Sequence, residues 1–392
     1  MSRRAHRPAP GEEGFSLVEM LIAVGVMLAV TGGIFSVMNP IHGAFQAQPE
    51  LSDMQQRLRV STGALYRDLL MAGAGSDIGS QRGSLGDFFA AVLPFRRGLV
   101  KGDRPGTFTS DTITILYVPL TSSQTTISQP MPAGSGEARV NAGAGCPIDD
   151  PLCGFAKSMD VVIYDDRGPS ATFTVTALQD GGLTLRHNQV DSSTWFGAGA
   201  KIAQLTSATY WLNATTNQLM HYDGSLSDVP VADNVVSLRF EYYGEPQPPT
   251  LKHPGGDDDS MTYGPKPPPL EVPSGTYWPP GESCTVQVIA GVQTARLETL
   301  GAGSRSLVRL DEAILTDGPW CPDPDEPNRW DADLLRVRTI RVTIRVQSAL
   351  AALRGRGPLL FKNPGTASIA NHALPDHEIR FDVTPRNLNF GR

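Results

Sequence analysis

FSLVEMLIAVGVMLAVTGGIFSVM, residues 15–38, is an apolar run of 24 residues (38 − 15 + 1) in which Glu19 is the only ionisable side chain. As a helix that rises about 1.5 Å per residue, it would reach about 36 Å, which exceeds the roughly 30 Å hydrocarbon core of a bilayer. Arg3, Arg4 and Arg7 precede it, so the positive charge is expected to hold the amino terminus in the cytoplasm. The run predicts a single transmembrane helix.

Three ordinary targeting segments explain this run less well. A secretory signal has an apolar stretch of about 7 to 15 residues and then a small-residue cleavage site, whereas this run is longer and no A-x-A precedes Pro49. A twin-arginine signal would place Arg3-Arg4 next to the run, but residues 7–14, RPAPGEEG, intervene. A plain anchor fits the length but leaves Glu19 unexplained, because a charged residue at mid-helix costs roughly 2.5 to 3.5 kcal/mol.

Residues 14–23, GFSLVEMLIA, resemble the cleavage and methylation motif of type IV prepilins and of the pseudopilins of type II secretion. The resemblance implies that a prepilin peptidase cuts between Gly14 and Phe15, removes residues 1–14 as a cytoplasmic leader, and methylates Phe15. It also implies that Glu19 acts in subunit assembly by pairing with the terminal amine of a neighbouring subunit. Electrostatics agrees, because the cut leaves a positive amine four positions before the carboxylate, about one helical turn away.

An amphipathic continuation of the helix is predicted at residues 39–72. Gly32-Gly33 and Asn39-Pro40 are weak points, since proline removes a backbone donor and disfavours helix at the preceding residue, so a kink or melted stretch is expected. Beyond Pro49, apolar residues recur at helical spacing and charged residues take other faces: Leu51, Met54, Leu58, Leu65 and Leu69 against Arg57, Arg59, Arg67 and Asp68. The apolar stripe predicts a face that packs on a sheet.

Residues 73–392 are predicted to form a β-rich periplasmic domain. Short β-like runs between turn residues lie at 112–118, 159–165, 172–178, 182–187, 209–222, 235–243 and 378–384, and residues 209–222 read as a hairpin with its turn at 213–217. Residues 334–348, LLRVRTIRVTIRVQS, alternate with a change of phase that predicts a β-bulge near Thr339. The expected fold class is α+β: a long N-terminal helix packed on an antiparallel β-sheet domain, as in pilins.

A proline-rich excursion interrupts the predicted domain. Residues 244–283 hold 11 prolines in 40 residues, so this stretch is expected to be extended or disordered. Its three aspartates, residues 257–259, could hold calcium, but a solvated acidic loop is favoured because no further ligands stand at defined spacing. The same reasoning, and the expectation of no metal, applies to four more aspartates: Asp323, Asp325, Asp331 and Asp333.

The four cysteines favour disulfides over a metal site. Their spacing lacks the two close ligand pairs of a zinc site, and no histidine stands at finger spacing. Four cysteines allow three connectivities. Cys146 with Cys153 and Cys284 with Cys321 is preferred, because the first pair closes a short proline-rich loop. Disulfides would place this region in an oxidising compartment.

Charge and motifs disfavour two function classes. A net charge of −7 argues against broad nucleic-acid binding, and Arg341 and Arg345 read as a solvated strand face rather than a DNA contact. The G-x-S-x-G, H-E-x-x-H, G-x-G-x-x-G and P-loop motifs are absent from the sequence. His372, Asp376 and His377 form the nearest polar cluster, in a loop where a surface role is favoured. Neither enzymatic activity nor a cofactor is expected.

Further segments resemble the PilW-type minor pilins: residues 231–244 (VADNVVSLRFEYYG), the Arg/Val strand after Trp330, and residues 379–387 (IRFDVTPRN). The resemblance implies a minor pilin-like subunit that assembles or primes a type IV pilus, with prepilin peptidase, other pilins or pseudopilins, the inner-membrane assembly platform and the lipid bilayer as partners. It implies a single-pass protein of the bacterial inner membrane or a surface filament. The alternatives left open are a minor pseudopilin, a filament-tip adhesin or DNA-capture module, and a membrane-tethered enzyme.

Overall fold

The computed structural model describes residues 15–76, 84–98, 111–120, 123–142, 154–165, 170–188, 195–224, 227–251, 261–271, 277–301, 306–325, 329–354 and 374–389, with the side chains of 37–44 excluded. The chain divides into two compact units. Unit 1 comprises Met1–Asp53 and Ser348–Pro375, and unit 2 comprises Met54–Gln347 and Asp376–Arg392.

One long helix and many short strands make up the described chain, so the α+β class is confirmed. The helix α1 spans Leu17–Met71, and five short 3-10 helices lie at Leu85–Asp87, Asp180–Gly182, Ala332–Arg336, Ala351–Leu353 and Arg386–Leu388. The strands are β1 (Val92–Pro94), β2 (Thr112–Tyr117), β3 (Gln124–Thr126), β4 (Glu137–Arg139), β5 (Asp160–Tyr164), β6 (Ser170–Gln179), β7 (Thr184–His187), β8 (Lys201–Gln204), β9 (Thr206–Asn213), β10 (Gln218–Tyr222), β11 (Asp228–Asp233), β12 (Val235–Gly244), β13 (Val286–Ile289), β14 (Val292–Ala295), β15 (Val308–Leu310), β16 (Trp320–Cys321), β17 (Trp330–Asp331), β18 (Val337–Val346) and β19 (His377–Val383).

The helix α1 is unbroken at the two predicted weak points. Its backbone stays helical through Gly32-Gly33 and through Asn39-Pro40, so the expectation of a melted stretch was wrong. A proline removes one backbone donor from the helix, and in an element of 55 residues the hydrogen bonds on either side remain. The predicted division at residue 39 is therefore a change of composition along one element.

In unit 1, residues 348–354, which follow β18, pack on the middle of α1. The Glu50 carboxylate accepts hydrogen bonds from the Ser348 hydroxyl (2.8 Å) and from the backbone N–H of Ala349 (2.7 Å). Ala47 and Leu353 are buried beside this contact. A carboxylate with such donors is satisfied although it is buried, so Glu50 fixes the segment at 348–349 to the helix.

In unit 2, the last third of α1 packs on antiparallel sheet, as predicted. Met54, Leu65 and Leu69 are fully buried, and the ring of Tyr66 lies 6.5 Å from that of Phe381 on β19. The sheets that α1 meets are a five-stranded body sheet in the order β1-β2-β9-β10-β11 and a four-stranded C-terminal sheet in the order β15-β12-β18-β19. Every strand pair in the described part of the chain is antiparallel.

The prediction of a bulge in β18 is confirmed. Tyr243 of β12 pairs with Thr339 and the next residue, Gly244, pairs with Val337, so Arg338 is the extra residue. The predicted strand begins too early, because residues 332–336 form a 3-10 helix that turns the chain before β18 starts. This turn and the bulge together produce the change of phase in the sequence.

Strands β3 to β8 close into a six-stranded barrel, which the sequence did not reveal. Their order is β3-β8-β5-β6-β7-β4, and the ends join where Ile127 bridges Val140. The barrel core contains Ile127, Met131, Ala138, Val140, Val161, Ile163, Phe173, Val175, Leu185, Phe196, Ala200 and Ile202. Because Tyr117 of β2 pairs directly with Thr206 of β9, the barrel is an insertion between two neighbouring strands of the body sheet.

The described part of the proline-rich excursion is folded, contrary to expectation. Leu251 forms a β-bridge with Met261, and the Tyr263 hydroxyl donates to the Gln247 carbonyl at 2.6 Å. The amide of Gln293 on β14 donates to the carbonyls of Pro268 and Gly281, both at 2.8 Å. Backbone carbonyls that no β-ladder uses are therefore satisfied here by side-chain donors. Residues 252–260 and 272–276, including the three aspartates, lie outside the described residues.

Candidate functional site

The first part of α1 is apolar and uncovered in unit 1. Residues Leu17–Ser36 are the stretch of the described chain that is long and apolar enough to cross a membrane. Their side chains are exposed on every face of the helix, for example Leu17, Met27 and Phe35 at 67 to 78%. A helix that is apolar all round and unburied needs an apolar surrounding, either lipid or other helices.

Glu19 sits in a reciprocal hydrogen-bonded cap at the start of α1. The Ser16 hydroxyl accepts from the Glu19 backbone N–H at 3.2 Å, and the Glu19 carboxylate accepts from the Ser16 N–H at 3.0 Å. This is a capping box, which satisfies two of the N–H groups that the first turn of a helix leaves unpaired. The negative carboxylate is also stabilised by the positive end of the helix dipole. Glu19 therefore lies at the helix start and does not occupy mid-helix.

Ser16 is the residue of this site that the sequence prediction missed. The pattern S-x-x-E ahead of an apolar run was the available signal. Phe15, which comes just before the cap, is 87% exposed. Gly14 lies outside the described residues, so cleavage after Gly14 and methylation of Phe15 stay predictions.

Cys284 and Cys321 are joined by a disulfide, which is the preferred pairing, and their Cα atoms are 5.2 Å apart. Cys146 and Cys153 lie outside the described residues. The disulfide links the start of the β13–β14 hairpin to β16, so two segments 37 residues apart are held together. Its position between secondary structure elements indicates a structural role.

An acidic cluster with two buried aspartates and one exposed aspartate lies at the 3-10 helix that precedes β18. Carboxylate oxygens of Asp317, Asp331 and Asp333 lie within 4.8 Å of one another, but the two buried members already have partners. Asp331 accepts from the Gly318 and Asp333 N–H groups, and Asp333 is paired with Arg336. Burial raises the pKa of Asp331 to about 7, against its two backbone hydrogen bonds. These hydrogen bonds indicate that the cluster stabilises a turn of the backbone.

Asp323 and Asp325 do not belong to this cluster. Asp323 accepts from the Asp325 N–H at 2.9 Å and also from the Tyr277 N–H at 2.5 Å. These contacts stabilise a turn next to Cys321. The expectation of no metal at these four aspartates stays a prediction.

The polar residues of the C-terminal sheet form cross-strand pairs. Arg341 donates to both carboxylate oxygens of Asp382, at 2.6 and 2.9 Å, and to the Tyr243 hydroxyl at 2.7 Å. The hydrogen bond from Arg341 lowers the pKa of Asp382. Arg345 lies 3.7 Å from Asp376. Arg341 and Arg345 are therefore already paired with carboxylates, as an ordinary polar strand face would be.

The predicted polar cluster near the C terminus is only partly described. Burial lowers the pKa of His377, and the nearby Asp376 opposes this shift. Asp376 is itself buried and ion-paired with Arg345, and His372 lies outside the described residues. No nucleophile accompanies His377 in the contacts of the described residues.

A scan of protein-family models, a search of curated proteins and a search of solved structures each found no match to this chain.

Proposed function

We propose that this chain is a prepilin-like subunit, processed at Gly14-Phe15 and built through α1 into a type IV pilus or a related filament. The observation that carries the proposal is the start of α1. An uncovered, wholly apolar helix begins with Glu19 five positions after the Gly14-Phe15 bond. Lipid before assembly and neighbouring helices after it are two environments that suit such a surface.

The capping box adds a physical reason for cutting at this bond. Cleavage between Gly14 and Phe15 leaves the Ser16 N–H as a peptide amide, so both hydrogen bonds of the cap survive. The new amine of Phe15 would then lie one residue before the cap and next to a carboxylate that is already held at the helix end. In lipid, where charges are poorly solvated, an opposite charge at this distance stabilises both groups.

The rest of the chain supports a role in assembly. α1 begins in the exposed stretch, and its last third is buried on antiparallel sheet. In this proposal, prepilin peptidase, the assembly platform of the inner membrane and other pilins are the partners, and the β-rich domain is outside the membrane.

Mass spectrometry of the N-terminal peptide tests the processing step. We expect a peptide that begins at N-methylated Phe15 in cells with the matching peptidase, and an uncut leader in cells without it. Gly14→Leu should block processing, while the matched leader substitution Gly11→Leu should leave it intact. An uncut terminus in peptidase-containing cells, or a cut beyond Met38, would refute the prepilin assignment.

Two substitutions separate the capping role of Glu19 from its charge. Glu19→Gln keeps a side-chain acceptor for the Ser16 N–H but removes the charge, whereas Glu19→Ala removes both. If Glu19 pairs with an amine, both variants should be cleaved normally but enter sheared filaments poorly. Normal incorporation of Glu19→Gln would mean that the residue only caps the helix, and the amine pairing would be rejected.

A further inference from the structure

One histidine lies on the inner face of the barrel. His187 is the last residue of β7, and it pairs with Val175 of β6, whose side chain belongs to the barrel core. Because residues paired across antiparallel strands share a face of the sheet, the imidazole points inward. Only 6% of His187 is exposed, and its ring stacks on that of Phe173, with the centroids 4.0 Å apart. An ionisable ring therefore packs against an apolar core.

The hydrogen bonds of His187 suit the neutral ring. Its Nδ1 lies 2.8 Å from the carbonyl of Asn188, which can only accept, so Nδ1 carries the proton and donates it. Its Nε2 is buried, and it has no hydrogen-bond partner in the described part of the chain. Protonation would place a second N–H donor and a positive charge there. A buried charge without a partner costs far more than a buried neutral polar group.

No charged side chain is placed to stabilise the protonated ring. Strand β6, on which the ring stacks, has no ionisable residue. The ionisable residues of the other barrel strands alternate with core residues and so take the outer face: Glu137, Arg139, Asp160, Tyr164, Arg186 and Lys201. Burial accordingly lowers the pKa of His187, and only the hydrogen bond to Asn188 opposes this shift.

His187 also holds the strand that closes the barrel. Its backbone N–H donates to the carbonyl of Gly136 at 3.0 Å, directly before β4 begins. Strand β4 has only three residues, pairs with β7, and is followed by the bridge from Val140 to Ile127 that completes the ring of strands. So short a strand has few ladder hydrogen bonds, and segments of that kind are the first to open locally. Displacement of His187 would therefore loosen β4 before the other strands.

We propose that His187 is an acid-sensitive latch of the barrel: when the ring takes up a proton, it leaves the stack on Phe173, and β4 separates from β7. Histidine is suited to this role because its charge changes close to neutral pH. An open barrel would expose its core and two strand edges, so the chain would offer a different surface to other molecules in acid. The latch belongs to the inserted barrel and does not depend on the filament proposal.

The direction of the pH effect follows from proton linkage. The folded barrel binds this proton less readily than the unfolded chain, since the fold lowers the pKa of His187. The stabilising contribution of the neutral ring is therefore present above a pH of about 6.5 and is lost as the pH falls below that value. Because one proton is involved, the equilibrium constant for opening should rise by at most about tenfold for each pH unit.

Hydrogen exchange of the full-length protein in detergent tests the latch. Exchange is measured at about pH 7.5 and about pH 5 and corrected for the intrinsic rate at each pH. We expect protection at the lower pH to fall by between about threefold and thirtyfold in peptides that carry β4 and β7. Peptides that carry β9 and β10 should keep their protection. This local measurement separates the latch from His377 on β19, whose pKa burial also lowers.

One substitution removes the proton site and keeps a ring. His187→Phe can still stack on Phe173 but takes up no proton, so exchange in β4 and β7 should no longer respond to pH. His221→Phe, the same change on β10, is the matched control, and its barrel should respond like that of wild type.

A second measurement keeps the test decisive if His187→Phe folds poorly. In wild type, NMR titration of the His187 ring, identified by its nuclear Overhauser contact with Phe173, should give a pKa below the ordinary value of 6.5. The Phe173 ring signals should change over the same pH range. The proposal is overturned if β4 and β7 stay protected in acid, if folded His187→Phe responds like wild type, or if His187 titrates at its ordinary pKa.

Discussion

The two ends of α1 are built from similar apolar residues but meet opposite conditions. In unit 1, Leu28 is 69% exposed, whereas in unit 2 Leu65 is completely buried on sheet. In the first stretch the apolar residues cover the whole circumference, and in the last stretch they form a stripe. The comparison teaches that one helix can carry one apolar surface that the described chain leaves uncovered and another that its own domain buries.

The largest expected effect comes from truncating a leucine in the buried stretch. Leu65→Ala should lower the free energy of unfolding by about 2 to 5 kcal/mol, because the transfer term and the remaining cavity add. Leu28→Ala, in the exposed stretch, should leave thermal unfolding of the β-rich unit unchanged. Denaturation in detergent, followed by near-UV circular dichroism, measures both. Equal losses would show that the two ends of the helix are not distinct.

Next in size is the polar contact that fixes the buried stretch. Tyr210 on β9 donates to the Asp68 carboxylate at 2.6 Å, and the ring of His221 lies 4.8 Å from that of Tyr210. Asp68→Ala should cost about 1 to 3 kcal/mol because the buried hydroxyl loses its acceptor. In the double variant with Tyr210→Phe, the second change should add little. Additive losses in this double-mutant cycle would contradict a direct interaction.

The same contact predicts a pH dependence at the alkaline end. Burial, and then the charge of Asp68, raise the pKa of Tyr210 above its ordinary value of 10.0. The folded state therefore holds this proton more tightly than the unfolded state, and its contribution is present below pH of about 10 and lost as the pH rises further. Tyr210→Phe should flatten this loss. Burial also raises the pKa of Tyr117, so part of the alkaline loss of stability should remain in this variant. An unchanged alkaline profile in Tyr210→Phe would argue against the shift.

The smallest effect concerns the cap of the exposed stretch. Ser16→Ala removes one half of the capping box and should weaken the first turn by about 0.5 to 2 kcal/mol. Hydrogen exchange should quicken at the amides of residues 17–20, and the melting temperature of the β-rich unit should stay constant. Ser16→Thr should retain slow exchange. A drop in the melting temperature with Ser16→Ala would mean that the two ends of α1 are energetically coupled.

Local patterns in the sequence predicted the helix, most of the longer strands and the bulge. The alternation of residues 340–346 has period two, and its change of phase before Thr339 located the extra residue to within one position. The helical spacing of Leu58, Leu65 and Leu69 likewise gave the buried stripe. These features depend on near neighbours along the chain, which the sequence displays directly.

What the sequence did not reveal depends on distant partners. Asp68 reads as a surface residue from its helical position, yet Tyr210, 142 residues later, makes it a buried acceptor. Closure of the barrel depends on Ile127 meeting Val140 after four other strands have been placed between them in space. Proline content suggested disorder at residues 244–283, whereas the Cys284–Cys321 link and the Gln293 amide order the described part.

The inserted barrel has a consequence for the order of folding. Strand β2 leaves the body sheet at Tyr117 and its partner β9 begins at Thr206, so their pairing would ordinarily require closure of a long flexible loop. Once the barrel has formed its own core, its two ends lie side by side, and the cost of closure falls to that of a short turn. If the chain is secreted N-terminus first, the barrel can fold before β9 emerges and leave β2 waiting as an unpaired edge. The step most exposed to misfolding would then be the capture of β2 by β9.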